Sequence, residues 1–294
     1  MQNDSIIVYG EVLFDHFPNG RKILGGAPFN VAWHLQAFGQ QPCLISRIGK
    51  DSDGNQIKSE MQRWGIGVDY LQEDSLHPTG QVEITISHGE PSYHIVPNQA
   101  YDFIEQKRLE YLNGAGFLYH GTLAARSPVS RQTLTSLANE HQGKIFIDVN
   151  LRPPWWDLSD VSLLIREADW LKLNLNELKA LEGNIGNIKQ CMEKLLTQHR
   201  LEGVIVTCGE TGALALDKIG RYFSVSPVWS DELVDTVGAG DAFSAVMLLG
   251  LNLGWELHMT MERAQQFASA LTCKTGAIVD DWNFYEPFIK DWSL

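Results

Sequence analysis

The sequence predicts an α/β fold: a mostly parallel central sheet covered by helices on both faces, with a small β flap beside it. Three observations carry this. From Gly116 onward, short apolar runs alternate with amphipathic stretches, the pattern of doubly buried strands joined by crossover helices. A nearly all-apolar run from Ser244 to Leu251 suits a helix buried on most of its sides. The segment Gln81 to Ser87 instead alternates polar and apolar residues, as a half-exposed hairpin strand does.

Taken in order, Ile6-Ile7-Val8-Tyr9-Gly10 reads as a buried strand ended by glycine. Glu11 to Phe17 continues as a strand towards the tight-turn pair Asn19-Gly20 and carries Asp15, by itself an ordinary strand aspartate. Gly25-Gly26-Ala27-Pro28 then feeds a helix in which Pro28 suits the first turn, Val31, Leu35 and Phe38 share a face, and Gly39 marks the end. Gly25 and Gly26 let a ligand approach the backbone, and Asn30 offers both donor and acceptor, which suits sugar hydroxyls as well as a local hydrogen bond. Cys43 to Gly49 is a strand, Asp53-Gly54 a turn, and a helix follows. Gln81 to Ser87, the turn His88-Gly89-Glu90-Pro91 and the run Tyr93 to Val96 make the hairpin that completes the flap, about 11–24 and 81–97. Four strands follow at Phe117, Ile145, Trp170 and Val204, each ending in polar or glycine residues. The carboxyl edge of an open α/β sheet forms a binding crevice, which would gather Asp148, Asn150, Arg152, Asn174, Glu177, Thr207 and Gly209. No repeat, low-complexity segment or linker interrupts the chain, so residues 1–294 are expected to form one domain.

Composition narrows the partners. A chain that is 44% hydrophobic and 20% charged can build a sizeable core. Its net charge of -13 argues against nucleic acid or an anionic membrane surface, both of which need clustered cations. Cys43, Cys191, Cys208 and Cys273 are dispersed, as reduced cytosolic thiols are, and the nine histidines lack a metal-ligand spacing. The polar start Met1 to Ser5 lacks the features of a signal peptide and no apolar run reaches spanning length, so a cytoplasmic protein is expected.

The chemistry centres on Asp235-Thr236-Val237-Gly238-Ala239-Gly240-Asp241-Ala242-Phe243. Gly238, Ala239 and Gly240 carry no bulky side chain, so backbone N–H groups at the start of the following helix can face an anion. Asp241, expected to be ionised there, is placed to take a proton from a hydroxyl attacking a phosphoryl group. The competing role for Asp241 is a helix N-cap.

With both glycine segments in view, the chain resembles the ribokinase family of carbohydrate kinases, the group that includes fructokinases. Gly25 to Ala32, with Gly39 and Gly49, resembles the family's amino-terminal signature; Asp235 to Asp241 resembles its carboxy-terminal one. Asn174-Leu175-Asn176-Glu177 is similar to the family's Asn-x-x-Glu element, and Thr207 to Gly212 to its nucleotide-side loop. The resemblance implies a ribokinase-like fold, ATP and Mg²⁺, with Asp241 as base and Gly238, Ala239 and Gly240 as anion hole. It implies that Asp15, Gly25, Gly26 and Asn30 bind the sugar. Asn174, Thr207, Gly209, Gly212 and Gln265 fall on the nucleotide side. Glu177 would organise the water shell of Mg²⁺, and Asp235 would help to hold a monovalent cation, K⁺ being the candidate. Asp148-Val149-Asn150-Leu151-Arg152-Pro153 resembles a stretch of fructokinase-like and ketodeoxygluconate-kinase-like members, which puts Asn150 and Arg152 at the sugar and favours fructose. Arg152 could equally meet a sugar carboxylate, a sugar phosphate or the reacting phosphoryl group. The expected partners are a small sugar and ATP, in a monomer or homodimer.

Two other classes compete. A dinucleotide-binding oxidoreductase could use Gly238 and Gly240, but Phe243 occupies the third glycine position. A silent sugar-binding regulator would keep the sugar loop and lose the base or the anion hole, both of which are present.

Overall fold

The apolar run at Ile6 becomes β1 (Ile7–Tyr9), the strand around which the chain winds in two directions. The computed structural model describes residues 6–294 apart from 88–89, 108, 110–111, 113–115, 184–185 and 228–232. Met1 to Ser5 and the His88-Gly89 turn lie outside the described residues. The first half continues through β2 (Leu13–His16), β3 (Lys22–Gly25), α1 (Ala27–Ala37), β4 (Cys43–Gly49), α2 (Ser52–Trp64), β5 (Leu71–Asp74), β6 (Gly80–Ser87), β7 (Glu90–Ile95), β8 (Phe117–His120) and α3 (Pro128–Glu140). The second half runs through β9 (Lys144–Asp148), α4 (Leu158–Arg166), β10 (Trp170–Asn174), α5 (Leu175–Glu182), α6 (Ile188–His199), β11 (Gly203–Thr207), β12 (Ala213–Asp217), β13 (Tyr222–Val225), α7 (Ala239–Asn252), α8 (Leu257–Leu271) and α9 (Trp282–Trp292).

Among the described residues the main sheet has nine strands, in the order β13-β12-β11-β10-β9-β8-β1-β4-β5. It is parallel from β11 to β5, and β12 and β13 add an antiparallel edge. The reversal of strand order falls at β1, where Ile7 faces Cys43 on one side and Leu118 on the other. That switch point opens a crevice at the carboxyl ends of the strands. One apolar cluster joins this sheet to α1, α7, α8 and α9, and a second joins its other face to α3, α4 and α6. The expected helix after Asp241 is α7, buried without a break from Ala242 to Gly250.

A separate four-stranded sheet, ordered β3-β2-β6-β7, holds the residues expected in the flap. Parallel pairing sets Leu13 opposite Gly80, and Lys22 Nζ reaches Asp53 Oδ1 on α2 at 2.6 Å.

Several local expectations change. Asp53-Gly54 lies in the first turn of α2, because the Asp51 carboxylate caps that helix by accepting from the Gly54 N–H at 2.8 Å. Glu90 and Pro91 belong to β7, where they pair with Ser87 and Ile86. β5, β12 and β13, short strands of four or five residues at or near the sheet edges, were not anticipated.

Candidate active site

Gly238 is the N-cap of α7, at φ 79° and packed against the backbone of Ala277, so a larger residue meets both backbone strain and a clash. The Ala239 N–H donates to the Thr236 carbonyl at 3.3 Å. Among the described residues no acceptor is found for the backbone N–H of Gly238, Gly240 or Asp241, which leaves these donors open at the start of the helix. Asp241 is not the cap. Its Oδ2 accepts from Asn30 Nδ2 at 2.7 Å. Burial pushes its carboxyl up to about 6; the Asn30 hydrogen bond opposes the shift, Asp148 adds to it, and Lys172 and Arg152 oppose it.

Across this bond lies the Gly25-Gly26 segment. Gly26 caps α1 at φ 109°, and a Cβ there would come within 2.6 Å of the Glu11 carbonyl oxygen. Gly25 leaves space: a Cβ would lie 3.8 Å from Asp15 Oδ2 and 4.0 Å from Asn30 Oδ1. Asn30 is buried, and its Oδ1 has no partner among the described residues. Two acceptors thus border a small space, as a ligand rich in hydroxyls requires. Burial raises Asp15 to about 6, with Arg152 opposing. Beneath them lies Glu11, which sequence reading passed over as part of a strand. It is 2% exposed, its Oε2 is unpartnered, and burial raises it to about 7 against its own backbone hydrogen bond and Arg152.

A cavity of about 190 Å³ is lined by Asp148, Asn150, Arg152, Asn174 and Glu177, five of the residues expected at the crevice, together with Asp241. Gly238 and Gly240 line it too, as does Lys172, another residue the sequence did not single out. Asn150 sits in left-handed backbone at φ 42°, and Arg152 is exposed with no ion pair to a described residue. Asn174 and Glu177 form a capping box on α5: Asn174 Oδ1 accepts from the Glu177 N–H at 3.0 Å, and Glu177 Oε2 from the Asn174 N–H at 2.8 Å. Glu177 Oε1 also accepts from the Leu151 N–H at 2.9 Å. Burial, then Asp148, raises the Glu177 carboxyl. Among the described residues no three His, Cys, Asp or Glu side chains form a metal cluster. Each Glu177 oxygen accepts one backbone N–H and keeps a free lone pair, a donor set that fits an ion held through its water. Asp235 ties two loops together, its oxygens accepting from the Val237 and Gly276 N–H groups at 3.0 Å each.

A second cleft, about 390 Å³, includes Gly209, Thr236, Ala239, Gln265 and Ala268, with Thr236 and Ala239 flanking the turn whose Gly238 and Gly240 line the first cavity. Gln265 Nε2 donates to Ser269 Oγ at 3.2 Å within α8. Thr207 and Gly212 do not line it. Thr207 ends β11 opposite Ala213, and Gly212, at φ 96°, turns the chain into β12 against the Val225 carbonyl. These two position the loop that presents Gly209.

The chain is similar to known carbohydrate kinases along most of its length. A family model described as pfkB family carbohydrate kinase matches residues 3–283. A fructokinase of Klebsiella pneumoniae is 29% identical over 286 residues, 92% of each chain. A 5-dehydro-2-deoxygluconokinase of Bacillus subtilis is 25% identical over 266 residues, 86% of this chain and 82% of its own. Among solved structures, a fructokinase from Vibrio cholerae with fructose, ADP and calcium ion bound superposes with a TM-score of 0.83 at 23% identity, covering 97% of this chain and 98% of that one. An aminoimidazole riboside kinase from Salmonella enterica gives 0.81 at 24% identity, covering 93% and 95%.

Proposed function

The chain belongs to the pfkB family of carbohydrate kinases, and from that premise we propose that it transfers the γ-phosphoryl group of ATP to a hydroxyl of a neutral ketohexose, fructose foremost. The observation that carries the reading is the 2.7 Å bond between Asn30 and Asp241, which joins the sugar loop to the base. A hydroxyl in the space bounded by Asp15, Gly25, Gly26 and Asn30 lies next to the Asp241 carboxylate. Asp241 takes its proton as the sugar oxygen bonds to phosphorus and the bond to the ADP oxygen breaks. Backbone N–H groups of the Gly238-Ala239-Gly240 turn receive the transferred group, those of Gly238 and Gly240 being open together with that of Asp241.

Asn174, Thr207, Gly209, Gly212 and Gln265 serve the nucleotide side, directly or through the loop they hold. Mg²⁺, when bound, neutralises charge on the nucleotide phosphates. Glu177 would hold its water with the lone pairs left free by the two backbone bonds. Asp235 and nearby carbonyls would hold a monovalent cation, stiffening the loop at Gly238 to Gly240. Residues 1–294 act as one kinase domain, with segments 11–24 and 81–97 as its lid.

Charge favours a neutral acceptor. Glu11, Asp15 and Asp241 converge on the site with pKa values raised by burial, and the Arg126 guanidinium is already engaged by Asp102 at 2.8 Å. A sugar acid would bring a fourth carboxylate into this group. One observation favours that second reading: the unpaired Arg152 could act as its counter-ion. A coupled ADP-release assay over ketoses, aldoses, nucleosides and sugar acids decides between them. Fructose is expected to give the highest kcat/KM, and a clear preference for a sugar acid or nucleoside overturns the assignment. Run at fixed ionic strength, turnover should be higher in K⁺ than in a bulky organic cation; equal rates argue against the cation site.

A further inference from the structure

Lys172 lies on β10, in the run Trp170-Leu171-Lys172-Leu173, and its side chain is only 5% exposed. A lysine buried so deeply needs compensation for its lost hydration. Asp148 supplies part of it, with Oδ2 accepting from Lys172 Nζ at 2.6 Å and from Ser244 Oγ at 2.7 Å. That leaves further N–H bonds on an ammonium that carries three. Gly240 lies beside them, since a Cβ there would stand 3.5 Å from Nζ. The ammonium is therefore set against the backbone of the anion loop, in the cavity that also holds Asn174, Glu177 and Asp241.

We infer that Lys172 is a further catalytic residue, whose ammonium contacts the phosphoryl group during transfer while Asp148 and Ser244 hold it in place. The inference rests on the assignment of this crevice as the phosphoryl-transfer site. Asp148, Glu177 and Asp241 surround the cavity, so an incoming anion meets three carboxyl groups. Backbone N–H dipoles carry only partial charge, whereas Lys172 brings a full positive charge to the point where the bond to ADP opens and the bond to the sugar oxygen forms. The hydroxyl proton goes to Asp241, and Lys172 keeps its own throughout. The competing role, a counter-ion for Asp148 alone, makes a different prediction.

The test compares the wild type with Lys172→Met, Lys172→Gln, which retains an N–H donor for Asp148, and the double variant Lys172→Met with Asp148→Asn. Turnover and the binding of ADP with aluminium fluoride and sugar are measured on preparations of known melting temperature. The inference expects both single variants to lose on the order of 10²- to 10³-fold in kcat with little change in nucleotide or sugar affinity. Affinity for the aluminium fluoride complex should fall in parallel. The double variant, which has no lone buried charge, should fold and stay as slow as Lys172→Met. Recovery of turnover in the double variant, or an undiminished aluminium fluoride complex in Lys172→Gln, overturns it. A wild type that phosphorylates a sugar while Asp241→Asn turns over normally would instead remove the underlying site assignment.

Discussion

Burial lifts the Asp241 carboxyl to about 6, while the Asn30 amide stabilises its charged form at 2.7 Å. Tuned this way, the proposed base stays ionised at neutral pH and is more basic than an exposed aspartate, as proton abstraction from a sugar hydroxyl requires. Asp241→Asn keeps the volume and removes the charge. Because Gly238 caps α7 and no side chain caps that helix, the variant should melt close to the wild type. ATP affinity should be similar, and kcat should fall on the order of 10²- to 10⁴-fold. In the wild type, turnover should decline as pH falls through about 6, where Asp241 gains its proton; the residual rate of the variant should lack the part of this limb due to Asp241. A folded variant with near-normal turnover would exclude Asp241 as the base.

At the scale of elements, α1 and α7 pack against each other, so two helix starts meet at one point: Asn30 from the first turn of α1 and Asp241 from the first turn of α7. Both glycine segments were legible because close backbone approach and exposed N–H groups are local demands that glycine alone meets cheaply. Lys172 and Glu11 were not. Each lies in or beside an apolar strand, and its importance arises from partners distant in sequence, such as Ser244 beyond Asp148 or Arg126 near Glu11. The Asp53-Gly54 pair looked like a turn because a helix start and a turn share the same residues, and only Asp51 acting as cap distinguishes them. The flap was legible from alternation at Gln81 to Ser87, which separates it from the doubly buried strands of the main sheet. If it closes over the acceptor, amide exchange in 11–24 and 81–97 should slow when saturating sugar is added. Unchanged exchange in both segments would rule out closure.

At the scale of the molecule, the site carboxyls make stability depend on pH. Burial raises Glu11 from 4.5 to about 7, and Asp15 and Asp241 from 3.8 to about 6. Each therefore binds its proton more tightly in the folded state, so its contribution is complete below the unfolded value and is lost as pH rises through the folded one. Asp74 acts in the opposite sense: its pKa is lowered to about 2 by hydrogen bonds from Leu76 and His77 and by Arg47, against burial, and its contribution is lost only in strong acid. The melting temperature of the ligand-free protein should fall as pH rises from about 5 to about 8, and Glu11→Gln should flatten the slope. Repulsion from the net charge of -13 acts in the same direction but is screened by added salt, whereas the buried carboxyls are screened much less. A melting temperature independent of pH at moderate salt would contradict this account. The Asn30–Asp241 bond has a consequence of another kind, since it joins residues 211 positions apart. On the ribosome, Asn30 emerges first and must wait roughly 10 to 40 seconds, at about 5–20 residues per second, for Asp241 to be made. A nascent chain that has built β1 to β11 already displays most of the sheet yet lacks the proposed base, so on this reading phosphoryl transfer begins only after Asp241 and its helix have been made.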